Sequence, residues 1–291
     1  MTDEASAPFD ELRAALRDRS RRAEVDRGPG PTFRPDAHRG RRAGIPEVVF
    51  AERKRPEEVV AALRRLADAT GRALASRCPA ETVALVHERL GAGYEVTTHE
   101  LASAVVVVAP GSVLVPTGGR LGVIAAGTSD LPIAAEAALM AREMGASVEE
   151  VWDVGVAGLH RLVAPLERMV AAGVDAIVVA AGMDGALPSV VAGLVAVPVI
   201  GLPTSVGYGF GGGGVGALTS MLQSCAPGLS VVNVDNGIGA GATAALIANR
   251  VAGARRAGAR RDLAGGETGE EVGRGGAGER APVGHVVDQA G

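Results

Sequence analysis

The chain contains two cysteines, and Cys225 stands in the sequence SCAPG, beside a proline and a glycine rather than inside an apolar run. A thiolate is a strong nucleophile, so a cysteine in such a loop is a candidate for covalent catalysis. The alternative is an inert cysteine, which is the commoner case. No basic residue adjoins Cys225 in the sequence, so a reactive thiol would need help from His160 or Arg161 in another loop, or from a cationic substrate.

A short turn of small and acidic residues, formed by Gly127, Thr128, Ser129 and Asp130, follows an apolar run. Such a turn opens a helix, and its backbone N–H groups can face an anionic ligand at the positive helix end. Asp130 would repel a phosphate, so its natural partner is the diol of a ribose. The alternative is that Ser129 or Asp130 only caps the helix.

Two further segments are glycine-rich loops. Residues 205–214, SVGYGFGGGG, would let a ligand approach the backbone or form a mobile lid, and Tyr208 or Phe210 could stack on a flat ring. A merely flexible loop is the alternative. In the 205–214 loop the candidate binding residues are Tyr208, Gly209, Phe210 and Gly211. The other loop, at 182–188, contributes the candidates Gly182, Met183, Asp184, Gly185, Ala186, Leu187 and Pro188.

Composition excludes several classes of protein. The formal net charge is −4, which argues against a nucleic-acid binder. His38, His87 and His99 lack the spacing of metal ligands, and there is no paired C-x-x-C motif and no phosphate-binding P-loop. Two cysteines make no disulfide framework, the first residues lack an apolar signal core, and the longest apolar stretches are too short to span a membrane. We expect a soluble cytoplasmic protein without nucleic-acid or membrane partners.

From residue 121 onward, apolar runs alternate with helical segments. The runs are LGVIAAG, SVEEVWDVG, DAIVVAAG, VPVIGLP and LSVVNVDNG. This rhythm predicts right-handed βαβ units and an α/β fold with a flavodoxin-like, doubly wound parallel sheet. Ligands bind at the carboxyl ends of such strands, so we expect the loops to converge on one rim. These loops are residues 127–130, 154–161, 182–186 and 203–214, and residues 225–228 with 233–241.

The remaining segments predict a smaller N-terminal domain and a tail. A charged helix at 10–22, a helix at 56–69, and strands at 46–51, 72–77, 94–98 and 104–108 indicate an α+β domain over residues 1–110. Residues 111–120 are the predicted linker, and residues 121–252 the α/β domain, whose last helix we expect at 241–251. Residues 253–291 are rich in glycine and charge, which favours a disordered tail over an interaction tail.

The second half of the chain resembles the purine-biosynthesis carboxylases that act on aminoimidazole ribonucleotide (AIR), the PurE family. The likeness is carried by Ser129-Asp130, His160-Arg161, residues 181–188, PVIGLP at 198–203 and the alanine-rich helix after 233–241. It implies that Asp130 holds ribose hydroxyls, while Ser129 and Arg161 contact phosphate. Ala186 stands where those enzymes carry a proton-shuttling histidine, and they have no counterpart of SCAPG. A plain purine carboxylase is therefore disfavoured.

The stretches AGTSDLPIAAEAA, AGMDGALPSVVAGLV, PTSVGYGFGGGG and SCAPG with VVNVDNGIGAG are closer to the LarB family, as are DAHR at 36–39 and PEVVF at 46–50. This likeness covers residues 34–251. It implies the first step of nickel-pincer nucleotide cofactor synthesis. In that step the pyridinium ring of nicotinic acid adenine dinucleotide is carboxylated at C5 with CO2, and the phosphoanhydride is hydrolysed. The products are pyridinium-3,5-biscarboxylic acid mononucleotide and AMP.

The LarB resemblance implies roles for individual residues. Cys225 would add to the ring, with the 183–188 and 208–214 loops shaping the pocket for the ring and CO2. Hydrolysis implies Mg2+, with Asp235, Asp184 or Asp130 as ligand or water-positioning group, although Asp235 and Asn236 could instead form a turn. An AMP-side pocket, reached from a neighbouring subunit, would contain Arg39, Arg42 and Glu47.

The resemblances also imply partners: a homo-oligomer, as an octamer, and hand-off of the product to sulfur-insertion and nickel-insertion enzymes. No organic cofactor is expected. Two alternatives stay open. One is an AIR carboxylase or mutase, which would not depend on Cys225. The other is a nucleotide-binding module that binds the dinucleotide without consuming it.

Overall fold

The computed structural model of the protein describes the backbone of residues 35–266 and the side chains of residues 35–259. Residues 35–253 belong to one compact unit, and a second unit begins at Ala254. The predicted helix at 10–22 and the part of the predicted tail after residue 266 lie outside the described residues. Within the described residues, no helix combines the length and apolar character needed to cross a membrane.

The first half of the described chain forms a mixed four-stranded sheet in the order β1-β2-β4-β3. The first two strands pair in parallel, and the other pairs are antiparallel. Two helices cover one face of this sheet, and a short helix precedes it. In chain order the elements are α1 (Arg39–Ala43), β1 (Val48–Phe50), α2 (Pro56–Thr70), β2 (Arg72–Ser76), α3 (Ala80–Leu90), β3 (Glu95–His99) and β4 (Ala104–Val108).

The second half forms a five-stranded sheet in which every pairing is parallel. The strand order is β6-β5-β7-β8-β9, which is the 2-1-3-4-5 order of flavodoxin-like folds and confirms the predicted fold class. Fully buried β7 and β8 read as unbroken apolar runs, as expected of strands covered on both faces. The strands are β5 (Arg120–Ala125), β6 (Ser147–Val151), β7 (Ala176–Ala181), β8 (Val199–Pro203) and β9 (Leu229–Val231).

Five helices flank the parallel sheet. One face is covered by α4 (Leu131–Glu143) and α8 (Gly237–Gly266). The other face is covered by α5 (His160–Ala171), α6 (Leu187–Ala192) and α7 (Val215–Leu222). The first sheet packs through Leu74 and Val106 on the outer side of α4 and α8, so these two helices lie between the two sheets.

Three helices differ from their predictions, and the first of them, the short α1, was not predicted at all. Helix α3 was not predicted, because its apolar residues are spread among charged ones and only Thr82, Val86 and Leu90 are buried. Helix α8 continues to Gly266, so the tail predicted to start at residue 253 is helical in its first part. Its sequence there, ARRAGARRDLA, is composed mainly of strong helix formers, a signal that the high charge and glycine content obscured.

Close packing of α8 against α4 depends on Gly241. A Cβ atom on Gly241 would lie 2.2 Å from the carbonyl oxygen of Ala137 in α4, whereas a Cβ on Gly253 would meet no atom within 4 Å. We expect Gly241→Ala to lower the free energy of unfolding by about 1–3 kcal/mol, because the backbone oxygen cannot move aside without shifting a helix. The same change at Gly253 should raise it by up to about 1 kcal/mol. Urea unfolding of both variants measures the contrast, and equal effects would contradict this account of the helix contact.

Candidate active site

The loops that follow β5, β7, β8 and β9 meet at the carboxyl edge of the parallel sheet, and hydrogen bonds join them. At their centre lies Asp130, whose side chain is 4% exposed. Its Oδ2 accepts a hydrogen bond of 2.9 Å from the Gly127 backbone N–H, and its Oδ1 accepts one of 2.5 Å from the Thr204 hydroxyl. Asp130 therefore holds the β5 loop to the β8 loop, and its side chain makes no cap hydrogen bond to the helix that begins at Leu131. Thr128 and Ser129 beside it are exposed and open to a ligand.

The loop after β7 packs tightly against the loop after β8. The Met183 N–H donates to the carbonyl oxygen of Val206 at 2.8 Å. Gly182 and Gly185 are both buried, and a Cβ on either would collide with backbone atoms of Val206 or Ala217. The exposed side chains of this loop are Met183 and Asp184, while Ala186 is half-buried and Leu187 and Pro188 belong to the core. The loop thus offers a ligand its Met183–Asp184 end and not its full length.

The glycine-rich loop after β8 has a fixed start and an exposed tip. Asp235, which follows β9, accepts a hydrogen bond of 2.7 Å from the Ser205 N–H through its Oδ1, and this fixes the start. At the tip, around Gly209 and Gly211, Tyr208 is 82% exposed and Phe210 is fully exposed. The two rings touch solvent on nearly every side and are available to a ligand or a second protein surface.

The carboxylates at this edge do not fit a magnesium site built by one chain. Each oxygen of Asp130 accepts a hydrogen bond, and Asp235 and Asp184 each accept a backbone N–H, the latter from Ala186 at 3.4 Å. Nowhere in the described part of the chain do three His, Cys, Asp or Glu side chains form a group suited to a metal ion. Asn236 caps α8 through Gly239 N–H at 2.9 Å, so the turn alternative describes the 235–236 pair.

His160 and Arg161 begin α5 beside the loop after β6, and both are exposed. The Arg161 guanidinium forms an ion pair of 2.7 Å with Asp153. Gly155, in the loop after β6, approaches the carbonyl oxygen of Ala126, next to the turn at Gly127. His160 and Arg161 therefore lie beside that turn on the predicted rim. A phosphate at Arg161 would compete with Asp153 for the guanidinium.

Cys225 is exposed, as the sequence suggested, but it does not lie on the rim with the other loops. It belongs to the loop that leads into β9, where the carbonyl oxygen of Gly228 accepts from the N–H of Val199, the first residue of β8. The start of a parallel strand lies at the edge opposite to its carboxyl end. The predicted convergence is wrong for residues 225–228, because a segment that precedes a strand cannot share an edge with segments that follow strands.

The proposed AMP-side residues also lie away from the rim. Arg39 pairs with Glu47 at 3.1 Å, and Arg42 pairs with Asp36, whose pKa this contact lowers. Gly44, next to them, approaches the side chain of Leu246, which lies in the third turn of α8 and well past the helix end that borders the rim.

A different part of the first sheet borders the rim. Arg77, just after β2, donates a hydrogen bond from Nη2 to the backbone oxygen of Asp235. Glu136 of α4 is buried, hydrogen-bonds with Ser76, and lies 3.7 Å from the Arg77 Nε. Burial raises the pKa of the Glu136 carboxyl, while Ser76 and Arg77 act in the opposite direction. The sequence carried one signal of this group: an acidic residue inside the otherwise apolar helix IAAEAALMA.

Comparison with known proteins agrees with this architecture. The family model for AIR carboxylase matches residues 120–270, and that for the LarB/PurE-like N-terminal domain matches residues 31–109. An uncharacterized protein of Methanocaldococcus jannaschii is 40% identical over 217 residues, which are 73% of this chain and 82% of that protein.

Thr204 tests the hydrogen bonds that join the rim loops. Thr204 is fully buried, and replacing it with valine removes the donor to Asp130 while keeping the shape. We expect Thr204→Val to lower the free energy of unfolding by about 1–3 kcal/mol, because the Asp130 carboxylate keeps its burial and loses a partner. Thr219→Val, at an exposed position on α7, should change it by less than about 0.5 kcal/mol. Denaturant unfolding compares the two, and a Thr204→Val variant as stable as Thr219→Val would show that Asp130 does not need this bond.

Proposed function

Because the chain belongs to the LarB family of AIR-carboxylase-like proteins, we propose that it carboxylates the pyridinium ring of nicotinic acid adenine dinucleotide at C5 and hydrolyses the phosphoanhydride. The observation that carries the proposal is the exposed Cys225 thiol, together with Ala186 at the position of the purine enzymes' histidine. The other cysteine is unsuited to the task, since burial raises the pKa of Cys78 to about 11.

The carboxylation uses the thiolate to reverse the electronic character of the ring. A pyridinium C5 is electron-poor and does not attack CO2. Addition of the Cys225 sulfur at C4 converts the ring into a dihydropyridine whose C5 is nucleophilic. C5 then forms its bond to CO2 and loses its proton, and the C4–S bond breaks as the ring regains aromaticity. The net change is C–H plus CO2 to carboxylate plus a proton. We assign uptake of the thiol proton to His160.

The second reaction is attack of water on one phosphorus of the diphosphate, with cleavage of the P–O–P bond and release of AMP. Exposed Thr128 and Ser129 and the Arg161 guanidinium are the groups of the rim that suit a phosphate. The described carboxylates of one chain do not form a site suited to Mg2+. The biscarboxylate mononucleotide would pass to sulfur-insertion and nickel-insertion enzymes.

The position of Cys225 makes the proposed reaction depend on a second copy of the chain. Helix α7 runs from the carboxyl edge, at Val215, to the loop that holds Cys225, a length of about 12 Å. Val215 and Leu222 expose apolar side chains at its two ends. A two-fold contact that pairs α7 with its antiparallel copy covers these side chains and brings the partner subunit's Cys225 beside the exposed Met183 and Phe210.

The AIR carboxylase match also favours a second candidate, carboxylation of aminoimidazole ribonucleotide. That reaction needs a proton-transfer group, and Ala186 cannot supply one. It also gives Cys225 no role. A binding module that leaves the dinucleotide intact is the third possibility. The three candidates differ in substrate and in the effect of a cysteine substitution.

Product analysis by mass spectrometry tests the reaction. We expect the purified protein, incubated with nicotinic acid adenine dinucleotide, labelled bicarbonate and Mg2+, to form labelled biscarboxylate mononucleotide and AMP. Cys225→Ala should form no labelled product, while Ser230→Ala, an exposed change in β9 outside the proposed sites, should form it like the wild type. Formation of AMP without labelled product would show that the protein hydrolyses the phosphoanhydride but does not carboxylate the ring. Conversion of aminoimidazole ribonucleotide by the Cys225→Ala variant would favour the purine carboxylase.

Complementation tests the shared site. Cys225→Ala and Arg161→Ala change opposite edges of the sheet, and both side chains are exposed, so neither change should prevent folding. Co-expressed with different tags and purified as mixed oligomers, the two inactive variants should regain up to about half of the wild-type activity, because one of the two sites in each mixed pair then combines two intact edges. Mixed oligomers without activity would mean that each chain uses its own cysteine.

A further inference from the structure

A cleft of about 390 Å³ opens between the loops at one end of the first sheet, helix α4 and the segment after β9. One wall carries Glu52, Arg77 and Ser103, which lie in loops beside the strands of the first sheet. The other wall carries Pro132 and Ile133 from the first turn of α4, with Glu136 and Asp235 behind them. The volume lies in the range of small-molecule sites.

The charges in this cleft do not suit a phosphate. Arg77 supplies the cation, and it donates to the Asp235 oxygen, lies 3.8 Å from Glu52, and packs 5.9 Å from the Phe50 ring centre. Glu52 lies beside it on the same wall, and the carboxyl groups of Glu136 and Asp235 belong to the other wall. An acidic surface with a compensated cation favours a ligand that brings hydrogen-bond donors. Ribose hydroxyls on a carboxylate are a recurrent pairing of this kind.

The apolar part of the cleft suits a flat ring. Pro79 and Ala102 from the first sheet face the side of the cleft formed by Pro132 and Ile133. Rigid proline rings offer contact area without loss of side-chain entropy. A purine ring fills such a space and leaves its polar edge at the rim.

The cleft is continuous with the rim. Pro132 is two residues beyond Asp130, and Asp235 both lines the cleft and holds Ser205 at the start of the glycine-rich loop. Arg77 and Asp235, which join cleft and rim, both have backbones in the left-handed region, with φ of 54° and 55°. One ligand that extends from the rim enters the cleft directly.

We propose that this cleft binds the purine nucleoside end of the dinucleotide, with Glu52 accepting ribose hydroxyls and the ring lying between Pro79 and Pro132. The inference rests on the proposed function, since it presumes that a dinucleotide is the substrate. It assigns the non-reacting half of the substrate to the first sheet, and so gives the N-terminal segment a part in recognition.

Calorimetric titration with adenosine tests the cleft separately from the chemistry. We expect the wild-type protein to bind adenosine, and Pro132→Trp, which fills the space from an exposed position, to weaken binding by about tenfold or more. Glu52→Gln removes a carboxylate without changing size and should weaken binding several-fold. Glu57→Gln, an exposed glutamate on α2 outside the cleft, is the matched control and should bind adenosine like the wild type. Thermal unfolding confirms that each variant is folded.

The outcomes separate this inference from the proposed function. No adenosine binding by the wild type, or equal binding by the wild type and both cleft variants, overturns the cleft proposal. Labelled carboxylation that proceeds normally in those variants leaves the proposed function standing alone. The cleft proposal is supported if the wild type binds adenosine and the cleft variants do not. If the same wild-type protein does not convert the dinucleotide, the proposed function is wrong.

Discussion

The contact between α4 and α8 is the constraint on which the rest of the structure depends. Both helices lie between the two sheets, so α4 is buried from Ala134 to Ala141 and α8 buries alanines such as Ala240, Ala244 and Ala248. Alanine and glycine suit this position, as IAAEAALMA and GIGAGATAALIA show. Small side chains let the backbones approach, down to the contact of Gly241 with Ala137. That spacing fixes the first sheet against the parallel sheet, and with it the position of Arg77 beside Asp235.

Burial of Glu136 in this layer has a cost that its surroundings offset only in part. An ionised carboxylate in an apolar interior needs partners, and the raised pKa of Glu136 reflects its burial. Ser76 and Arg77 come from the first sheet, and the first turn of α8 approaches the carboxylate closely at Gly237. The positive end of a long helix favours the charge there. One side chain thus joins three elements at the border of the rim.

The sequence predicted what local patterns determine. Apolar runs and their spacing gave the five parallel strands and their order, and the turn at Gly127 gave the start of α4 within a few residues. The sequence alone could not predict which distant segments contact each other. Arg77 and Asp235 are 158 residues apart, and no motif around either residue predicts the contact with the other. Asp130 and Asp235 looked like ligands by type, but the structure uses their oxygens to hold loops. Helix α3 carries too few buried residues to produce a clear period.

The placement of Cys225 follows from topology alone and changes how its chemistry must be understood. In a parallel sheet, the chain leaves every strand at one edge and enters the next at the other, so a cysteine just before β9 does not lie at the edge where the loops after β5, β7 and β8 meet. The rim has rigidly held loop bases but leaves Met183, Tyr208 and Phe210 exposed, an arrangement that is costly for an isolated chain in water. The α7 face adds Val215 and Leu222. One two-fold contact along α7 would cover this apolar surface and supply the rim with a thiol. Burial of apolar area would then drive assembly, and assembly would create the reactive site.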